Sequence, residues 1–114
     1  MSQHTYQTEV EGQQVSITLG WDRPLGHFFM QVVGIPQDTS KDAEAEVLYT
    51  NLYEPNAFDL TLDDYREVLS HMGIEVPASM FEQVELDQKA NVGNRIATHN
   101  ADGTYYDQPD APRS

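Results

Sequence analysis

In the first third of this chain the residues alternate with a period of two, on both sides of a Glu11-Gly12 pair. Tyr6, Thr8 and Val10 share one face of a candidate strand, and Val15, Ile17 and Leu19 share one face of the next. Successive strand side chains point to opposite faces, so such a run buries one face and wets the other. Glycine between the two runs supplies the positive φ of a tight hairpin turn. An antiparallel hairpin is therefore the first element the sequence commits to.

Gly20-Trp21-Asp22-Arg23-Pro24-Leu25-Gly26 follows as a connection, its glycines and proline stopping any regular element. His27–Val33 reads as a third strand, with Phe28, Met30 and Val32 facing one way and Phe29 and Val33 the other. Apolar residues on both faces mark a covered central strand or a face that meets a partner. The segment 37–46 is a polar, acidic loop, and Val47–Leu52 returns to strand character as a fourth strand paired with the third.

Beyond residue 60 the period changes. Leu62, Tyr65, Val68, Leu69 and Met72 form one helical stripe, Thr61 is an N-cap with Asp64 three residues on, and Gly73 ends the helix. Pro77 suits the first turn of a second helix closing near Asn91, with Ser79-Met80-Phe81-Glu82 in a capping-box pattern. Arg95–His99 and Thr104–Tyr106 can form a last hairpin across Asn100-Ala101-Asp102-Gly103, leaving 107–114 as a frayed tail.

These elements predict one α+β domain over residues 1–106. It has an antiparallel sheet of about four strands, two helices packed on one face, and a C-terminal hairpin as an addition. The expected core is Val15, Ile17, Leu19, Trp21, Phe28, Met30, Val32, Leu48, Leu62, Tyr65, Val68, Leu69, Met72, Phe81 and Val84.

Charge narrows the function classes. Six basic and nineteen acidic side chains give a net charge of −13 over 114 residues. Direct binding to nucleic acid or to an anionic membrane is opposed by long-range repulsion, whereas a basic protein surface is attracted. The absence of cysteine excludes disulfides, thiolate zinc sites and cysteine nucleophiles. The N-terminus MSQHTYQTEVEG has neither the basic nor the apolar region of a signal peptide, so a cytoplasmic location is expected.

Catalytic and metal motifs are not found, and no catalytic residue, metal ligand or cofactor is assigned. His4, His27, His71 and His99 show no metal-ligand spacing, and there is no Gly-x-Ser-x-Gly, phosphate loop or dinucleotide fingerprint. Asn100, Asp102 and Asp107 around Gly103 echo a calcium loop, but the closing position is Pro109 and the first is Thr98. Asp63-Asp64 are explained as first-turn carboxylates favoured by the helix dipole.

Two regions stand out as partner-binding candidates. The first is acidic: from Asp38 to Asp87 thirteen carboxylates face only Lys41 and Arg66, a local net charge of −11. Asp38, Asp42, Glu44, Glu46, Asp63, Asp64 and Glu67 are its candidate docking residues, for a basic surface such as that of a nucleic-acid-binding protein, with carboxylates standing in for phosphates; the same charge is also explained as a solvated surface that keeps the protein soluble. The second is the Trp21-Asp22-Arg23-Pro24-Leu25 corner with Phe29, read either as a structural corner or as a Trp/Arg anchor.

The run from Gly20 through His27 to Met30 resembles a segment of small uncharacterised acidic proteins of proteobacterial genomes and mobile elements. In size and acidity, though in no motif, the chain also resembles phage- or plasmid-encoded inhibitors such as anti-CRISPR proteins, a likeness that implies an inhibitor. Beside this stand two other readings: an interaction module using the Phe29/Val33 face or the Trp21 corner, and a small enzyme assembled from dispersed histidines and carboxylates.

Overall fold

The computed structural model describes residues 2–35, 46–56, 59–92 and 95–107. Strands β1 (Ser2–Val10) and β2 (Gln13–Asp22) form the expected hairpin, in register from Val10 opposite Gln13 to His4 opposite Leu19. Glu11 and Gly12 both take positive φ, 51° and 81°. That pair of angles is the type I′ turn whose twist matches the flanking strands. Strand β3 (His27–Ile35) pairs antiparallel with β2 across a corner in which Gly26 donates to the Asp22 carbonyl.

Strand β4 (Glu46–Thr50) adds to β3 with a bulge between Val32 and Val33. It is shorter than the expected Val47–Leu52, because the Thr50 hydroxyl caps a 3₁₀ turn over Asn51–Tyr53 by accepting from the Leu52 amide. Helix α1 (Leu62–His71) carries the predicted capping box: the Asp64 amide donates to Thr61 Oγ1 at 3.3 Å, and the Thr61 amide donates to Asp64 Oδ2 at 2.8 Å. Helix α2 runs Ala78–Ala90 and ends at Asn91 in the left-handed region.

The sheet differs from the expected four antiparallel strands. Among the described residues it has six, in the order β4-β3-β2-β1-β5-β6. Strand β5 (Arg95–His99) lies parallel to β1, from Ser2 opposite Arg95 to Thr5 opposite Thr98, so the sheet is mixed. The two-helix segment leaves one edge and returns at the other, which puts β5 beside the first strand. Strand β6 (Tyr105–Asp107) completes the terminal hairpin and includes Asp107, which the composition had assigned to the tail.

Ile17, Leu19, Met30 and Val32 of the strands share one buried cluster with Tyr65 and Leu69 of α1 and Met80, Phe81 and Val84 of α2. Burying each large aliphatic side chain stabilises by about 1.5–3 kcal/mol, so this cluster carries much of the fold. Phe28, Leu48, Val68 and Met72 are only partly buried against it. Tyr6, Tyr49, Ile74, Met80 and Ala97, outside the expected core, are buried.

A buried polar row and an acidic surface

Four residues of β1, α2 and β5 meet where that helix faces the two strands. Alternation puts His4 on the same face of β1 as Tyr6, and His99 on the same face of β5 as Ala97; both faces are buried. Asp87 lies one helical turn beyond the buried Val84. His4 Nε2 is 2.5 Å from Asp87 Oδ2, His4 Nδ1 is 2.8 Å from His99 Nε2, and His99 Nδ1 is 3.0 Å from Ser79 Oγ.

The row is closed to water: Ser79 is 8% exposed, His99 3%, Asp87 1% and His4 0%. Neutral imidazoles satisfy it with one proton per link. Ser79 donates to His99, His99 to His4, and His4 to the ionised Asp87. At its far end Arg95 donates to Asp87 Oδ1 at 2.8 Å, to Gln83 Oε1 at 3.0 Å and to Asp107 Oδ1 at 2.5 Å.

Electrostatics match the geometry. Burial pushes the His99 imidazolium down to about 4, and the Arg95 guanidinium and any charge on His4 act in the same direction. Burial alone would raise Asp87; the hydrogen bonds from His4 and Arg95 overcome it and hold the carboxyl below its ordinary value. Such a buried charge is tolerable only because donors pair with it: His4, Arg95 and the Ser2 hydroxyl.

In outline the row is a hydroxyl, a base and a carboxylate, the parts of a proton relay. Its hydroxyl end is shut in, while His99 borders a hollow of about 540 Å³ beside Thr98, Asn100 and Tyr106. A nucleophile must reach a substrate, and Ser79 is enclosed in the first turn of α2, followed by the buried Met80 and Phe81. Ser79 also corrects the capping-box expectation: Pro77 is the N-cap, without a side-chain cap bond, and the Ser79 hydroxyl turns to His99.

The sequence-predicted candidates fall elsewhere. Asp38, Asp42 and Glu44 lie outside the described residues. Glu46 is exposed at the start of β4. Asp63 and Glu67 are exposed on α1, Asp63 2.5 Å from Arg66 Nη1 and Glu67 3.7 Å from His71 Nε2. Asp64 is held by its cap.

Trp21, offered as an exposed anchor, is 8% exposed and packs edge-on against Phe28. Its Nε1 donates to Asn91 Oδ1 at 3.4 Å, so it is a core residue and cannot reach a partner as placed. Arg23 is exposed on the corner. Phe29 is partly buried and lies over Gly20, where an added Cβ would collide with the Phe29 ring and the Ser2 carbonyl. Of the calcium-like residues, Asp102 accepts from Thr104 and Asp107 holds Arg95.

Of the ten block carboxylates among the described residues, Asp87 is buried in the row. Glu46, Asp59, Asp63, Glu67, Glu75, Glu82 and Glu85 are exposed, and Glu54 and Asp64 partly so. A hollow of about 420 Å³ between the helices is lined by Arg66, Glu75, Phe81 and Glu82, with the Arg66 guanidinium 4.5 Å above the Phe81 ring. A second hollow, of about 530 Å³, lies where β2, β3 and the 3₁₀ turn meet, lined by Leu25, His27, Phe29, Gln31 and Leu52.

Spacing arguments missed His4, Ser79, Asp87, Arg95 and His99 as a group, because their separations reach 95 residues. A usable signal existed: His4, Asp87 and His99 are polar residues sitting in register with buried apolar positions. No protein-family model, curated protein or solved structure matches the chain. Among the described residues, no helix is long and apolar enough to cross a membrane.

Proposed function

We propose that this chain is a non-enzymatic acidic protein that docks on a basic macromolecular surface, with charge mimicry of nucleic acid as its inhibitory mode. The observation that carries the reading is the state of the exposed charges. Seven carboxylates of the block are exposed, and its one described cation, Arg66, is already paired with Asp63. Lys89, just beyond the block, is taken by Glu85. The remaining negative field is uncompensated, and such a field steers a basic partner and raises its association rate.

A second reading has its own observation. Leu25 and Leu52 are each 68% exposed beside Phe29 at the 530 Å³ hollow, an apolar patch suited to an accessory interaction module. One experiment separates the two. Partners captured from a host lysate are measured for association rate across salt, with wild type, the triple reversal Asp63→Lys/Glu67→Lys/Glu82→Lys, and the pair Leu25→Ser/Leu52→Ser. The acidic reading expects a rate that drops steeply with salt and with the reversal. Binding indifferent to both, but lost in the leucine variant, transfers the function to the apolar patch.

A further inference from the structure

The row from Ser79 to Asp87 has three links, and three protons fill them when both imidazoles are neutral. One added proton can be held. His4 becomes an imidazolium facing Asp87, its Nδ1–H donates to His99 Nε2, and His99 donates to Ser79 Oγ, whose own hydrogen turns away. A second added proton cannot be held. Each ring would then carry hydrogen on both nitrogens, and two N–H groups would point at one another across the 2.8 Å between His4 Nδ1 and His99 Nε2. Two hydrogens do not fit in a gap that is the length of a single hydrogen bond. The contact must break.

The groups facing the pair add to this. Around His99 stand His4 from β1, Ser79 and Asp87 from α2, Arg95 from its own strand, and Tyr105 and Asp107 from β6. Around His4 stand Asp87 and His99, with Asp107 of β6 within reach of its charge. Asp87 and Asp107 would attract an imidazolium, but each is already engaged by Arg95. The Tyr105 ring stacks on His99 and offers no carboxylate. The second positive charge is thus left beside a cation and a guanidinium without an anion of its own.

What this contact fastens is the last part of the sheet. Strand β5 joins through four parallel register pairs with β1, and β6 pairs with β5. Parallel pairs are slightly weaker per residue than antiparallel ones. Against that, β1 and β2 share seven antiparallel pairs. We infer that the His4–His99 contact is an acid-released latch, and that protonating both rings opens the seam between β1 and the β5–β6 hairpin while the β1–β2–β3 meander stays closed.

The test is residue-resolved hydrogen exchange, expressed as protection relative to the intrinsic rate, with histidine ring shifts followed by NMR in the same samples. Between about pH 7.5 and 4.5, an open state with an ordinary histidine gains on the closed one by ~10–100-fold, so protection of Ile96–His99 should fall by that factor. The β2 and β3 amides should keep theirs, and the loss should begin near the ordinary histidine value and level off at the His99 ring midpoint of about 4. His99→Gln retains an amide between Ser79 and His4 but cannot titrate, so it should flatten the response; His71→Gln, at an exposed ring, should leave it intact.

Flat wild-type protection, a uniform loss across the sheet, a loss that keeps growing below the His99 ring midpoint, or an undiminished response in His99→Gln would each overturn the latch. Should His99→Gln not fold, the wild-type exchange and ring titration decide alone.

Discussion

Asp87 and Glu82 sit five residues apart on the same helix and belong to the same acidic run, yet the fold uses them in opposite ways. Asp87 is 1% exposed and accepts from His4 and Arg95. Glu82 is exposed at the rim of the hollow beside Phe81. A buried carboxylate is stable only with donors in place, and its loss leaves those donors stranded. An exposed carboxylate is solvated, contributes little to stability, and remains available to a partner. Counting charge along a sequence treats the two as equal; the position of each on its helix does not.

The largest predicted effect comes from the inside. Asp87→Ala strands His4 and leaves Arg95 with Asp107 and Gln83, and should cost about 3–5 kcal/mol in urea unfolding, enough to leave the domain partly unfolded. A loss below about 1 kcal/mol would place Asp87 with the exposed set.

Acid sharpens the same contrast. His99 has a folded value of about 4, below its ordinary 6.5, so the unfolded chain binds more protons between these values. Its stabilising contribution is complete above about pH 6.5 and is lost as pH falls toward 4. Urea midpoints should therefore decline through that window, and His99→Gln should decline less. Asp87, held below its ordinary value, adds its own loss at still lower pH.

A smaller effect is expected at the cap. Thr61→Ala removes the acceptor for the Asp64 amide and should cost about 1 kcal/mol, read from the urea midpoint. At the outer surface, Glu67→Gln and Glu82→Gln should each change stability by less than about 0.5 kcal/mol.

How much of this was legible follows the range of each interaction. The β1–β2 hairpin and the α1 cap are specified by residues within a few positions of one another, and Gly12 and Thr61 announced them. Strand β5 was expected as half of a terminal hairpin, but its parallel seat beside β1 depends on where two helices deliver the chain, and no local pattern encodes that. The row was hidden for the same reason. His4 and His99 acquire meaning only when β1 and β5 are neighbours. Ser79 shows how a local rule can mislead: its spacing to Glu82 fits a capping box, but His99 offers a buried partner at 3.0 Å and takes the hydroxyl. Trp21 was expected in the core, with an anchor as the alternative reading, and it is buried against Phe28.

The account rests most on the claim that the outer carboxylates outnumber the cations beside them while the inner one is fully paired. The direct measurement is the urea midpoint of wild type as salt rises from about 0.01 to 0.1 M, over which the screening length shrinks from about 30 to 10 Å. Mutual repulsion among exposed carboxylates predicts a midpoint that rises with salt. The triple neutralisation Glu67→Gln/Glu75→Gln/Glu82→Gln should rise less. A midpoint that stays flat or falls, equally in both proteins, would mean that the surface charges are already balanced and hold no field for a basic partner.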